Sequence, residues 1–275
     1  MLSDKDLLSV IHTSVNAGKA ILKVYGSSDF QIEKKSDASP LTIADKLSHQ
    51  TIEKGLTSLT IDYPILSEEG KHLGYDDRKK WEMFWLVDPL DGTKEFIKRN
   101  GEFTVNIALI HNKKPVFGVV YVPVSDTLYV GGEDAGSYKI EKASEGNPAS
   151  FKALIESGQR LPLYSSKNDC ITAVASRSHQ TPETKQFLDS LKAKYGTVDV
   201  TSAGSSLKLC LVAEGTADVY PRFAPTMEWD TAAGHALVVG SGGKVIYSTN
   251  STSDRHLAYN KEDLLNPWFI AWRNG

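Results

Sequence analysis

Phe84-Trp85-Leu86-Val87-Asp88-Pro89-Leu90-Asp91-Gly92-Thr93-Lys94-Glu95-Phe96 is the stretch around which the rest of the chain is organised. Phe84 to Val87 is a short apolar run with the pattern of a buried strand. Pro89 disfavours helical backbone at the residue before it, so Asp88 is expected extended at the strand end. Asp91-Gly92 signals a turn, and a short helix is expected to begin near Thr93. Two carboxylates therefore emerge at the mouth of a sheet, beside a helix start. Hard divalent cations take carboxylate, carbonyl and hydroxyl oxygens, and the positive end of a helix attracts phosphate. The chemistry that joins the two is metal-assisted attack on a phosphate ester. Asp-x-x-Asp-Gly is also ordinary turn material, so the reading depends on what accompanies it.

Working outward, Ile65-Leu66 reads as a second short strand that ends in Ser67-Glu68-Glu69-Gly70. Before it, a helix is expected from about Thr42 to Leu59, with Leu47, Ile52, Leu56 and Leu59 as its buried stripe. Asp45 falls on its first turn, where complementing the helix dipole is a sufficient reason for an acid. An earlier helix starts at Ser3 with Asp6 in the capping-box position and closes at Gly26. Residues 71–80 read as polar and loop-like.

Beyond the central motif, Phe103 to His111 and Pro115 to Val122 form a hairpin, followed by short strands at Thr127–Val130 and Ser137–Ile140. Residues 141–170 are expected to be an irregular surface excursion between an N-terminal lobe, 1–140, and a C-terminal lobe, 171–275. In the latter, strands and helices alternate. Gly204-Ser205-Ser206 opens one helix, and Trp229-Asp230 leads into another made of small residues. Capping alone explains an Asp at such a place.

The chain of 275 residues is 40% hydrophobic and 24% charged, the balance of a soluble globular protein. A net charge of −3 gives no general pull toward nucleic acid. Cys170 and Cys210 are the only cysteines, so a disulfide framework is not expected and a reducing compartment is. The N-terminus has no signal-peptide pattern, and no run approaches the roughly 18 apolar residues of a membrane span. A cytoplasmic protein is expected, with peripheral attachment to the inner face of the inner membrane left open.

If Glu68, Asp88, Asp91 and Asp230 converge, two like charges about 4 Å apart cost about 4 kcal/mol at an effective dielectric near 20. Several such pairs rival a domain's stability, so the cluster needs cations or protons. Leu66-Ser67-Glu68-Glu69, Trp85 to Thr93 and Trp229-Asp230-Thr231-Ala232-Ala233-Gly234, in that order, resemble the inositol monophosphatase superfamily. Asp91 to Ile110, Gly204 to Gly215 and Tyr220-Pro221-Arg222-Phe223 are similar to its bacterial 3'(2'),5'-bisphosphate nucleotidases of the CysQ type.

The resemblance implies an α/β fold of alternating α-β-α-β-α layers and a lithium-sensitive, magnesium-dependent phosphatase. It implies two to three Mg²⁺. Glu68, Asp88 and the Leu90 carbonyl would hold one; Asp88, Asp91 and Asp230 a second; Asp45 and Glu68 a looser third. Asp45, Thr93 and Glu68 would form the catalytic group, Thr93 and Asp45 orienting a water and taking its proton. Gly92 and Thr93 amides would bind phosphate. Gly204, Ser205, Ser206, Lys208 and Arg222 would hold a second phosphate, with Ser178 and His179 near the nucleotide and Asp230 touching substrate. The expected substrate is a small nucleotide, adenosine 3',5'-bisphosphate, with 3'-phosphoadenylyl sulfate as a related one. An inositol monophosphatase, a sugar bisphosphatase and a non-catalytic nucleotide-binding regulator are the alternatives. Oligomeric state is not readable from the sequence.

Overall fold

Local signals fix the helix ends. In a computed structural model, Ser3 caps α1 (Asp4–Tyr25), and the Asp6 carboxylate returns to the cap, as expected. Thr42 and Asp45 form the same box on α2 (Ile43–Thr57), which follows the two-residue strands β1 (Glu33–Lys34) and β2 (Pro40–Leu41). The structure describes residues 2–27, 33–34, 40–71, 73–164, 170–175, 181–248 and 255–273. After α2 come β3 (Ile65–Ser67), α3 (Tyr75–Arg78), β4 (Met83–Asp91), α4 (Thr93–Ile97), β5 (Thr104–His111), β6 (Lys114–Val122), β7 (Thr127–Gly132), β8 (Gly136–Glu141), α5 (Phe151–Ser157) and β9 (Gln159–Arg160). The remainder holds β10 (Cys170–Val174), α6 (Pro182–Tyr195), β11 (Thr197–Thr201), α7 (Leu207–Glu214), β12 (Val219–Arg222), α8 (Glu228–Gly240), β13 (Lys244–Tyr247) and β14 (Phe269–Trp272).

Strands β3 to β9 form a seven-stranded sheet in sequence order, antiparallel except for the β3–β4 pair. A five-stranded sheet runs β11-β10-β12-β14-β13. Alternation along the strands sorts their side chains into layers. Trp85, Val87, Ile107 and Leu109 face α1 and α2. Phe84, Leu86, Ala108 and Ile110 face α7 and α8, where Tyr220, Val245, Phe269 and Ala271 meet them from the second sheet. Helix α6 covers that sheet's far side through Leu191, against Ile171, Ala173 and Val219. The result is the expected α-β-α-β-α layering, with α7 and α8 in the shared central layer.

Three local expectations need correction. Leu47 is 37% exposed and not part of the buried stripe that Ile52 and Leu56 supply. Residues 71–80 are not simply loop: α3 lies there, and its Arg78 is buried. The stretch 141–170 carries α5, which buries Phe151 and Leu154, and β9 pairs with β8 to extend the sheet.

Candidate active site

The alternation that turns Phe84 and Leu86 toward α8 also turns Asp88 that way. Asp91, three residues on, would by the same rule face the opposite side. A bulge prevents this. Asp88 pairs with Asn106 and Asp91 with Thr104, three steps on β4 against two on β5. The extra residue re-aims the chain, so both carboxylates reach the same face. The Leu90 amide donates to Asp88 Oδ1 at 3.1 Å, and Ser48 Oγ on α2 donates to the Pro89 carbonyl at 2.6 Å. The turn closes at Gly92, whose φ of 95° lies in the left-handed region that favours glycine. A Cβ there would stand 3.1 Å from the Glu102 carbonyl oxygen and 3.2 Å from Ser205 Cβ.

Two further acids are brought to Asp88. The Glu68 amide donates to the Val87 carbonyl at 3.1 Å, which pins the end of β3 to β4. Next to it Ser67 Oγ meets His49 Nδ1 of α2 at 3.0 Å. Asp230 is the third residue of α8, not its cap, and its Oδ2 accepts the Met227 amide at 2.9 Å. One carboxylate oxygen from each of Glu68, Asp88 and Asp230 lies within 4.8 Å of the other two. Asp91 adjoins the trio, with its Oδ2 accepting from Ser206 Oγ at 2.7 Å and Asn106 Nδ2 at 3.4 Å.

The electrostatics follow from burial. Asp88 is pushed well above the usual carboxylate range, first by burial and then by the charges of Glu68, Asp91 and Asp230. Asp230 is raised by burial and by Asp91. Burial also raises Asp91, while the Ser206 hydrogen bond and the Lys208 charge pull it back. An all-oxygen donor set, half-buried around a buried Asp88 and carrying excess negative charge, fits a hard divalent cation.

Beside the acids, Thr93 Oγ1 donates to Asp45 Oδ1 at 3.2 Å, with the Leu90 carbonyl at 3.5 Å. Asp45 is 1% exposed, and its Oδ2 is fixed by the Thr42 amide at 2.7 Å and Thr42 Oγ1 at 2.6 Å. The capping box explains why an acid stands at this position. It leaves Oδ1 for Thr93.

A cleft of about 660 Å³ opens from this point, lined by Asp91, Gly92, Gly204, Ser205, Ser206, Lys208, Arg222 and Asp230. Gly204 is needed for close approach, since a Cβ would lie 2.7 Å from the Glu102 carbonyl oxygen. Lys208 Nζ donates to the Ser205 carbonyl at 3.2 Å. Arg222 Nη2 donates to the Pro225 carbonyl at 2.8 Å, and its buried Nε finds no partner among the described residues. Ser178 and His179 lie outside the described residues.

Several residues in and around this site were not singled out from the sequence. Lys94, Glu95, Lys98 and Glu102 line the outer cleft. Asn106 donates to Ser206 Oγ at 2.8 Å. Its signal was available: a polar residue inside the apolar run Val105 to Ile110 calls for a buried partner. Ser48 lies one turn beyond Asp45, on the same face of α2.

The inositol monophosphatase family matches residues 5–271 of the chain. The 3'(2'),5'-bisphosphate nucleotidase CysQ of Escherichia coli K12 is 46% identical over 256 residues, covering 92% of this chain and 94% of the relative. The relative of the same name from Buchnera aphidicola is 40% identical, covering 97% of this chain and 93% of its own. The crystal structure of CysQ from Bacteroides thetaiotaomicron superposes with a TM-score of 0.87 at 49% identity, covering 99% of this chain and 98% of that one. With likeness of this extent on top of the converging acids, the chain belongs to the inositol monophosphatase family.

Proposed function

We propose that the chain is a magnesium-dependent nucleotidase that hydrolyses the 3'-phosphate of adenosine 3',5'-bisphosphate to give AMP and phosphate, and acts on 3'-phosphoadenylyl sulfate as well. The observation that carries this reading is one cleft that joins acids to bases. Asp91 and Asp230, which adjoin Asp88 and Glu68, line the same cleft as Lys208 and Arg222. Relatives that cover almost the whole chain bear the name 3'(2'),5'-bisphosphate nucleotidase.

Glu68, Asp88 and the Leu90 carbonyl would hold one Mg²⁺, Asp88, Asp91 and Asp230 a second, and Asp45 with Glu68 a third. Bound there, the cations supply charge neutralisation at the phosphate and the departing oxygen, and acidify water. The chain's own contribution is proton handling and orientation. Thr93 Oγ1, by donating to Asp45 Oδ1, keeps its lone pairs for the proton of an attacking water. Asp45 is pre-set for this because Thr42 fixes its other oxygen. Glu68, at the rim of the acid cluster, orients the water. The Gly92 and Thr93 amides bind the reacting phosphate. Lys208 and the open Nε of Arg222 bind the second phosphate, with Gly204, Ser205 and Ser206 shaping its seat and Ser178 and His179 serving the nucleoside.

Among the described residues no helix is long and apolar enough to cross a membrane. A nucleotidase of this kind would clear the by-product of sulfate activation in the cytoplasm. Lithium is expected to inhibit it.

The test is phosphate release from adenosine 3',5'-bisphosphate, inositol 1-phosphate and fructose 1,6-bisphosphate, with and without Mg²⁺. The nucleotide should be preferred and turnover should vanish without the cation. Lys208→Ala should cut that preference about 10- to 100-fold, since a hydrogen bond to a charged group contributes about 1.5–3 kcal/mol. An unchanged preference would refute the assignment of the second phosphate.

A further inference from the structure

We infer that a buried polar chain running from Arg78 through Asn260 and Glu228 is a positioning device that sets where Asp230 stands relative to Glu68. The inference rests on the reading of these two acids as cation ligands.

Asp230 is aimed by the first turn of α8, because its Oδ2 is held by the Met227 amide. That turn is fastened from outside the helix. The Glu228 amide donates to the Leu264 carbonyl at 2.9 Å, and Asn266 Nδ2 donates to the Met227 carbonyl at 2.7 Å. The Glu228 side chain, 0% exposed, accepts the Asn260 amide at 2.6 Å, the Lys261 amide at 2.9 Å and Lys261 Nζ at 2.5 Å. The Asn260 side chain carries the link onward. Its Nδ2 donates to the Arg78 carbonyl at 2.7 Å, and its Oδ1 accepts Arg78 Nη1 at 2.8 Å. Arg78 also donates to the carbonyls of Lys261 and Glu262 at 2.5 and 2.7 Å. Arg78 sits on α3, in the segment that leads from Glu68 at the end of β3 to the start of β4.

The two acids thus come from separate segments of the chain, the end of β3 and the start of α8, and this chain of hydrogen bonds joins those segments. A buried ionic network is not the cheapest way to stabilise a core; apolar side chains of similar volume do as well or better. What such a network supplies is one fixed geometry. Residues that orient metal ligands without touching the ion change affinity by about 10- to 100-fold when altered.

Asn260→Gly tests this with little backbone cost. Asn260 has a φ of 60°, which glycine adopts freely. The variant keeps the amide that Glu228 accepts and removes the two side-chain hydrogen bonds to Arg78, while the Arg78 bonds to the Lys261 and Glu262 carbonyls remain. Mn²⁺ binding is measured by calorimetry on parent and variant without substrate, alongside the Mg²⁺ dependence of phosphate release and a thermal melt. The expected result is about tenfold weaker Mn²⁺ binding, a matching rise in the Mg²⁺ needed for half-maximal rate, and a kcat at saturating Mg²⁺ within about twofold of the parent. A lower melting temperature with unchanged Mn²⁺ affinity would make the network merely structural and overturn the inference. If Asn260→Gly does not fold, Arg78→Lys loosens the same bridge from the other end, because an ammonium cannot span the acceptors that the guanidinium fork reaches; the same two outcomes decide. A parent that binds no Mn²⁺ would overturn the ligand assignment of Glu68 and Asp230, and this inference with it.

Discussion

Glu228 and Asp230 stand two residues apart at the start of one helix and have opposite surroundings. Glu228 is wholly buried and meets two backbone amides and the Lys261 ammonium. Asp230 meets one amide and otherwise points toward Glu68 and Asp88. Burying a carboxylate costs several kcal/mol unless donors replace its water. The protein supplies those donors at Glu228. At the Asp88 cluster it supplies more acid instead. A buried acid therefore suits a cation when its neighbours leave its charge in excess, which sets Asp230, proposed as a ligand, apart from Glu228.

The sharpest way to break this contrast is Asp88→Asn. If the cluster is built for cations, removing its central charge should lower kcat by about 10³-fold or more, equivalent to about 4 kcal/mol of transition-state stabilisation. The same change should raise the melting temperature in EDTA, because it relieves the repulsion that Glu68, Asp91 and Asp230 exert on Asp88. Greater stability together with lost activity is the signature of a site that strains the fold. An Asp88→Asn protein that melts lower than the parent in EDTA would show that the cluster is compensated internally, as Glu228 is.

His235, further along α8, shows a third solution: the buried group gives up its charge. Burial, with a smaller contribution from His256, lowers its pKa from 6.5 to about 3. Its Nδ1 lies 2.9 Å from the Tyr259 hydroxyl, which can donate to the neutral ring. Between those two values the unfolded chain binds a proton that the folded chain does not. Stability is therefore full above pH 6.5 and falls as the pH drops toward 3, by up to about 1.4 kcal/mol per pH unit. Urea melts of parent and His235→Gln at pH 7, 6 and 5 should converge as the pH falls, because only the parent carries this term. Parallel curves would mean that the ring titrates alike in the folded and the unfolded chain.

How much of this was legible depended on whether a local rule applied. The strand ending at Asp88 followed from an apolar run and Pro89, and the cap at Ser3 from short-range hydrogen bonding. Each is decided within a few residues. The bulge that turns Asp91 to the side of Asp88 was not legible, because it depends on the register with β5. Arg78 was read as part of a polar loop, and its burial depends on Asn260, far along the chain. Glu228 gave no signal of its own, since an acid next to Trp229 at a helix start looks like any first-turn acid. Leu47 fitted the helical stripe but is 37% exposed at the edge of α2. Family resemblance supplied the convergence of the acids; spacing alone did not.

The weakest effect completes the comparison on the surface. Lys46 Nζ lies 2.9 and 2.8 Å from the two carboxylate oxygens of Glu33, an ion pair as short as the 2.9 Å bond that Glu228 accepts from the Lys261 amide. The side chains of Lys46 and Glu33 are 45% and 59% exposed. Water already compensates both charges, so joining them gains little and orders two long side chains. Lys46→Ala should change stability by no more than about 0.5 kcal/mol, and the difference from the parent should shrink further at high salt. A loss several times larger, persisting in salt, would mean that this pair ties β1 to α2 and that distance rather than desolvation ranks the acids of this protein. A small loss leaves desolvation as the quantity that separates Glu33, Glu228 and Asp88.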